Sequence, residues 1–264
     1  MKRFFWSGVF LLLAAGCGDD KATPKPVADS SESQPKQAEP QEKKTAEPID
    51  PATTGTIRGV VRFEGTPPER EKISMAGYAD CSARHQEKPL SEALLVKNGC
   101  LQNAFVQIRK GPGVDGRKFD PPKTSAALDQ VGCIYTPHVV ALQVGQEIQI
   151  KNSDPLLHNI DGVSKWGQGF NDAMSNKGDV KSKRFESAEI LPVKCDIHPW
   201  MRSYIAVSKH PFFAVTGENG KFEIAGLPPG KYVIQAWQEM LGTQDQEITL
   251  GPKETKEISF SFKK

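Results

Sequence analysis

Nine short strings of alternating apolar and polar residues, separated by turn-forming residues, constrain this chain most. They run at Thr56 to Phe63, Ala93 to Lys97, Asn103 to Ile108, Val139 to Val144, Glu147 to Lys151, Ser203 to Val207, Lys221 to Ile224, Tyr232 to Trp237 and Glu257 to Phe262. A period of two puts every second side chain on one face, which is the pattern of a half-buried strand. Asn219-Gly220, between the apolar residues of Phe213 to Val215 and of Phe222 to Ile224, predicts a two-residue hairpin turn, and Pro228-Pro229-Gly230 cannot continue a strand. With 23 Gly and 20 Pro among 264 residues, the expectation is an all-β protein and not a helical bundle. Lys and Arg number 34 against 32 Asp and Glu, so the chain lacks the one-signed surface of a nucleic-acid binder.

The first residues read Lys2 and Arg3, an apolar run from Phe4 to Ala15, and Gly16 before Cys17. That run is short for a bilayer span and is followed by small residues, so residues 1–16 are expected to be an export signal. Leu13-Ala14-Ala15-Gly16-Cys17 resembles the bacterial lipobox, which implies lipidation of Cys17 and anchorage to a bacterial membrane facing the periplasm or cell surface. The stretch up to residue 55 is rich in Pro, Lys and acidic residues and from Lys21 on has no aromatic residue, so 17–55 is read as a lipidated Cys and a disordered tether.

Phe213 to Ile224 and Gly226-Leu227-Pro228-Pro229-Gly230-Lys231-Tyr232 resemble the second half of a carboxypeptidase-regulatory-like (transthyretin-like) sandwich. Pieces similar to its first half, Gly59-Val60-Val61 and Asn103-Ala104-Phe105-Val106, lie far upstream. The resemblance implies a split sandwich, 56–112 plus 209–264, with a second domain, 113–208, inserted into it or packed with it. The other arrangement makes 56–112 extra strands of the inserted domain.

Within 113–208, Cys195-Asp196-Ile197-His198-Pro199-Trp200-Met201 spaces a thiol, an imidazole and a thioether three residues apart. A soft sulfur with nitrogen and a weak thioether suits copper, and a second imidazole is available at His158. Zinc accepts the same His and Cys but gains little from Met. Tyr135 to Ile148, then Asn152, Asp154 and His158-Asn159, with the Cys-x-x-His-x-x-Met loop, are similar to the amicyanin and plastocyanin pattern of the cupredoxins. That resemblance implies one type 1 copper per chain held by His158, Cys195, His198 and Met201. It also implies that Asn159 ties the His158 loop to the Cys195 loop, and that His198 is the electron exit within an apolar patch to which Pro199 and Trp200 contribute, unless these two merely pack.

A binuclear copper centre would need a second Cys in this loop, and oxidase or nitrite reductase chemistry would need further His clusters. His85, His138 and His210 are isolated in the sequence and are read as surface or loop residues. Of Cys81, Cys100 and Cys133, any two could pair in an exported protein. Cys81 with Cys133 is favoured, because Cys81 lies in the long polar loop 64–91. The resemblances together imply a non-enzymatic one-electron carrier that serves a protein donor and a protein acceptor. The other reading is a cell-surface binding or structural lipoprotein with a relic or storage copper site.

Overall fold

The structure, a computed structural model, describes residues 49–264. The expected export signal, Cys17 and most of the expected tether lie outside the described residues. In chain order the elements are β1 (Gly55–Phe63), α1 (Ala79–Ser82), β2 (Val96–Lys97), β3 (Cys100–Leu101), β4 (Phe105–Lys110), β5 (Ala126–Gln130), β6 (Tyr135–Thr136), β7 (Val139–Gln143), β8 (Ile148–Asn152) and β9 (His158–Gly162). There follow β10 (Phe170–Met174), β11 (Val180–Lys183), β12 (Ile190–Lys194), β13 (Arg202–Ser208), β14 (Phe213–Val215), β15 (Lys221–Leu227), β16 (Gly230–Gln238), β17 (Gly242–Leu250) and β18 (Thr255–Phe262). The described chain is all-β apart from one turn of helix. Among the described residues no helix is long and apolar enough to cross a membrane.

Among the described residues the strands form four sheets that enclose two separate apolar cores. One core lies between the sheet β10-β9-β12-β13-β7 and the sheet β11-β8-β5-β6. Its fully buried members include Leu128, Leu142, Ile148, Ile150, Ile160, Leu191 and Ile205, alternate residues of their strands, as a sandwich interior requires. The other core lies between the sheet built on β15-β1-β3-β2, with β18 on β1, and the sheet β14-β4-β16-β17. Ile57 and Val61 of β1, Val106 and Ile108 of β4, and Phe222 and Ile224 of β15 meet there, so residues widely separated in the sequence share one interior. We call these the metal-side and the flanking sandwich.

Two findings depart from the sequence reading. Asn219-Gly220 does form a turn, closed by Gly220 N–H donating to Gly217 O at 2.9 Å. It does not join a hairpin, however: β14 pairs with β4 and β15 pairs with β1, so the turn carries the chain from one sheet to the other. Gly220 has φ of +64°, and a Cβ there would stand 2.5 Å from Val61 O, so the close approach to β1 requires glycine. The second departure is the segment between β1 and β2. Met75 and Cys81, from the 64–91 loop, are buried in the metal-side core although the strands on either side belong to the flanking sandwich.

His138 and His210 lie in loops, as read, but not at the surface. Both are less than a tenth exposed. His138 Nε2 is hydrogen-bonded to Glu239 of the flanking sandwich, and both side chains are buried. Tyr204 beside them is pushed up to about 12 by burial and by Glu239. His210 Nδ1 accepts from Phe212 N–H at 3.2 Å while Nε2 donates to Ile108 O at 2.8 Å, which holds the ring in one neutral tautomer. His85 is half-buried, with Nε2 donating to Gly132 O at 2.7 Å. A single sequence shows no spacing that reveals partners so distant in the chain.

Candidate metal centre

The residues singled out by the loop motif converge at one end of the metal-side sandwich. His158 opens β9, Cys195 directly follows β12, and His198 and Met201 lie in the loop that leads into β13. Met201 N–H donates to His198 O at 2.9 Å and Cys195 N–H to Met201 O at 3.2 Å, folding the loop back on itself. Pro199 lacks the amide proton that could extend β-pairing through it. Nitrogens of His158 and His198 and the Cys195 sulfur lie within 4.8 Å of one another, all buried. His158 Nδ1 is 3.0 Å from His198 Nδ1, and Cys195 Sγ is 3.8 Å from His198 Nδ1. Met201 is 1% exposed and belongs to the same core as Cys195.

A second layer of buried polar groups fixes these side chains. Asn159 Oδ1 accepts from Asp196 N–H at 2.8 Å and from Cys195 Sγ at 3.2 Å, so it spans from the His158 strand to the Cys195 loop. Asp154 is 1% exposed, and its Oδ2 accepts from His158 Nε2 at 3.0 Å. That bond keeps the imidazole proton on Nε2 and leaves the Nδ1 lone pair facing His198 and Cys195. The same carboxylate accepts the Cys133 amide at 2.7 Å and the Gly132 amide at 2.8 Å. Burial alone would raise its pKa, but the two amides and His158 outweigh it and hold Asp154 below the usual carboxylate range. Burial, then the neighbouring His158, pushes His198 down and so favours the neutral imidazole that a metal requires. Tyr135, raised far above the ordinary phenol by burial and by Cys195, donates to Asn159 O and Lys194 O behind the site.

The donor set fits a soft or borderline ion. Two imidazole nitrogens and one thiol, buried and preoriented, with a thioether in the same loop, match copper's preferences, and the first three would also hold zinc. Among the described residues, two other groups of potential donors overlap this one, Cys81 with Cys133 and His198, and Cys133 with Asp154 and His158. Neither offers a thiolate, because Cys81 and Cys133 are joined in a disulfide. Cys100 is a free, half-buried thiol of β3, away from the site.

His198 does not reach the surface. It is 5% exposed, and the rings of Tyr78 and Trp200 pack on it at 5.2 and 5.3 Å between centroids. Pro199 is exposed and Trp200 half-buried, its Nε1 donating to Cys133 O at 2.9 Å. The expected surface-reaching edge of His198 is thus covered by aromatic rings, Trp200 of the expected patch among them. Sequence reasoning missed Asp154 as a partner of His158, Tyr78 as a cover and Tyr135 as a brace. The four-residue spacing of Asp154 and His158 was a usable signal for the first; nothing local marks Tyr78.

No family model matches the chain, and no curated protein does. Among solved structures, a purple cupredoxin from Nitrosopumilus maritimus is 26% identical over 31% of this chain and 99% of its own, with a TM-score of 0.28. A copper-containing nitrite reductase from Thermus scotoductus SA-01 is 18% identical over 46% of this chain and 27% of its own, with a TM-score of 0.31. A reduced mutant of amicyanin is 21% identical over 39% of this chain and 98% of its own, with a TM-score of 0.30. Each of these three covers less than half of this chain.

Proposed function

We propose that the chain is a one-electron carrier that binds a single type 1 copper through His158, Cys195, His198 and Met201. The observation that carries this reading is the buried convergence of two imidazoles and one thiol within 4.8 Å at a sandwich end. Copper supplies the one-electron couple. The protein's part is to hold the donors nearly fixed in both oxidation states. Asp154 sets the His158 tautomer and Asn159 locks the two ligand-bearing segments together. The carrier exchanges electrons with a protein donor and acceptor, performs no bond-making, and is exported and held on a bacterial membrane through acyl chains on Cys17. Replacing Cys17 with Ser should move the protein from the membrane to the soluble exported fraction; unchanged partitioning after salt washing refutes the anchor.

The deciding experiment is copper loading of residues 56–264 with metal analysis and a visible absorption spectrum. One copper per chain and an intense thiolate-to-copper band, both lost in Cys195→Ala while the fold persists, are expected. No copper, two coppers, or copper without the band refutes the carrier, the last favouring a storage site on a surface-binding lipoprotein.

A further inference from the structure

The loop 64–91 leaves the flanking sandwich, crosses to the metal end of the other sandwich and returns. Its base is pinched by a bridge between Lys72 and Leu90 and by Ile73 N–H donating to Pro89 O at 2.8 Å. Its tip is fastened by the Cys81–Cys133 disulfide. Held this way, Tyr78 lies on His198, with Trp200 4.9 Å from Tyr78 by ring centroid, so the three rings form a closed triangle. Tyr78 is 37% exposed whereas His198 is 5% exposed. Anything approaching the centre from this side meets the phenol ring before the ligand imidazole.

We propose that Tyr78, positioned by the disulfide-pinned strap, is the residue that closes the metal centre and decides what reaches it: small hydrophilic reagents are kept from His198, and an electron acceptor must make its contact at Tyr78. The inference that an acceptor docks there rests on the carrier reading; the closure of His198 does not. The electron step forms and breaks no bond. One electron passes from the reduced centre to the acceptor, which is reduced by one unit.

Closure is tested on the metal-free chain by carbethoxylation with diethyl pyrocarbonate, with His198 and His158 followed separately by peptide mass spectrometry. His158 is 0% exposed and lies behind His198, so the ratio of the two rates reads removal of the cover and not loss of the fold. Tyr78→Ala should raise the His198 to His158 ratio about tenfold, Tyr78→Phe should leave it at the wild-type value, and the paired Cys81→Ser, Cys133→Ser variant should raise it as well. A ratio within twofold of wild type in Tyr78→Ala, an equal rise at both histidines, or failure of Phe to restore it overturns the proposal. In the copper-loaded chain, the Tyr78 ring holds hexacyanoferrate(III) one ring farther from the centre, so oxidation should be several-fold faster in Tyr78→Ala with the absorption band unchanged, and an unchanged or slower rate overturns the contact at Tyr78. A chain that takes up no copper refutes the carrier reading alone, because the carbethoxylation result stands without metal.

Discussion

Asp154→Asn is the perturbation whose effect the structure lets us size most closely. The carboxylate receives three hydrogen bonds, from His158 Nε2 at 3.0 Å and Cys133 N–H at 2.7 Å on one oxygen, and from Gly132 N–H at 2.8 Å on the other. An amide has one acceptor oxygen. In its better orientation it keeps the pair on the first oxygen and points its NH₂ at the Gly132 donor. One hydrogen bond to a charged group, about 1.5–3 kcal/mol, is lost, and the other two lose their charge assistance. The two amides also hold Gly132 and Cys133 at φ of +64° and +56°, a turn that Cys133 does not favour unaided. We expect about 3 kcal/mol of destabilisation by urea denaturation of the metal-free protein. The amide oxygen still accepts from His158 Nε2, but without the carboxylate's charge it makes Nδ1 a weaker donor, which lowers copper affinity by about 10- to 100-fold in competition with a chelator of known affinity. A loss below about 1 kcal/mol together with copper affinity within twofold of wild type would refute the argument that Asp154 organises both the turn and the ligand.

Cys81→Ser with Cys133→Ser opens a loop spanning 52 residues and should cost about 4 kcal/mol in the chain-entropy account, seen as a lower denaturation midpoint; a midpoint equal to wild type contradicts it. Burial, the leading cause, pushes His210 below its ordinary value of 6.5, so the unfolded chain binds the extra proton first. The stability it contributes is therefore present above about pH 6.5 and lost as pH falls below that value, and His210→Gln should flatten this part of the stability–pH curve. Met201→Leu should retain copper and colour and raise the reduction potential, since losing a donor destabilises the oxidised ion more, whereas Met201→Gln should lower it; voltammetry showing neither change removes Met201 from the site.

The strands legible in the sequence are those whose inner and outer faces differ, such as β1, with every second residue buried from Gly55 to Phe63. β17 carries no such signal, because Gly242–Leu250 is mostly polar and its side chains stay largely exposed until Leu250; its pairing with β16 over nine residue positions, not its pattern, makes it a strand. β9 and β12 were hidden for a different reason, since His158 and Asn159 interrupt one and Pro192 the other. The metal loop was readable because Cys195, His198 and Met201 lie within seven consecutive positions. What surrounds it was not, because Tyr78, Glu239 and the Gly132–Cys133 turn arrive by tertiary packing that leaves no local period. The hairpin expected at Asn219-Gly220 shows the same limit: turn chemistry specifies a reversal of the chain, but the sheet that receives the next strand is set by the core.

β1 is held on both edges near its start, antiparallel to β15 and parallel to β18, in a ladder that runs from Thr56 opposite Thr255 to Phe63 opposite Phe262. It is also the first strand met on entering the described chain from its N-terminal end. A pull applied to the chain just before Gly55 would therefore load two ladders of hydrogen bonds in shear at once. Those ladders belong to the flanking sandwich, whose core is separate from the one that contains Cys195 and Met201. Such a pull would have to part the ladders of the flanking sandwich, as a cable clamp takes the strain, before it reached the core that contains Cys195 and Met201.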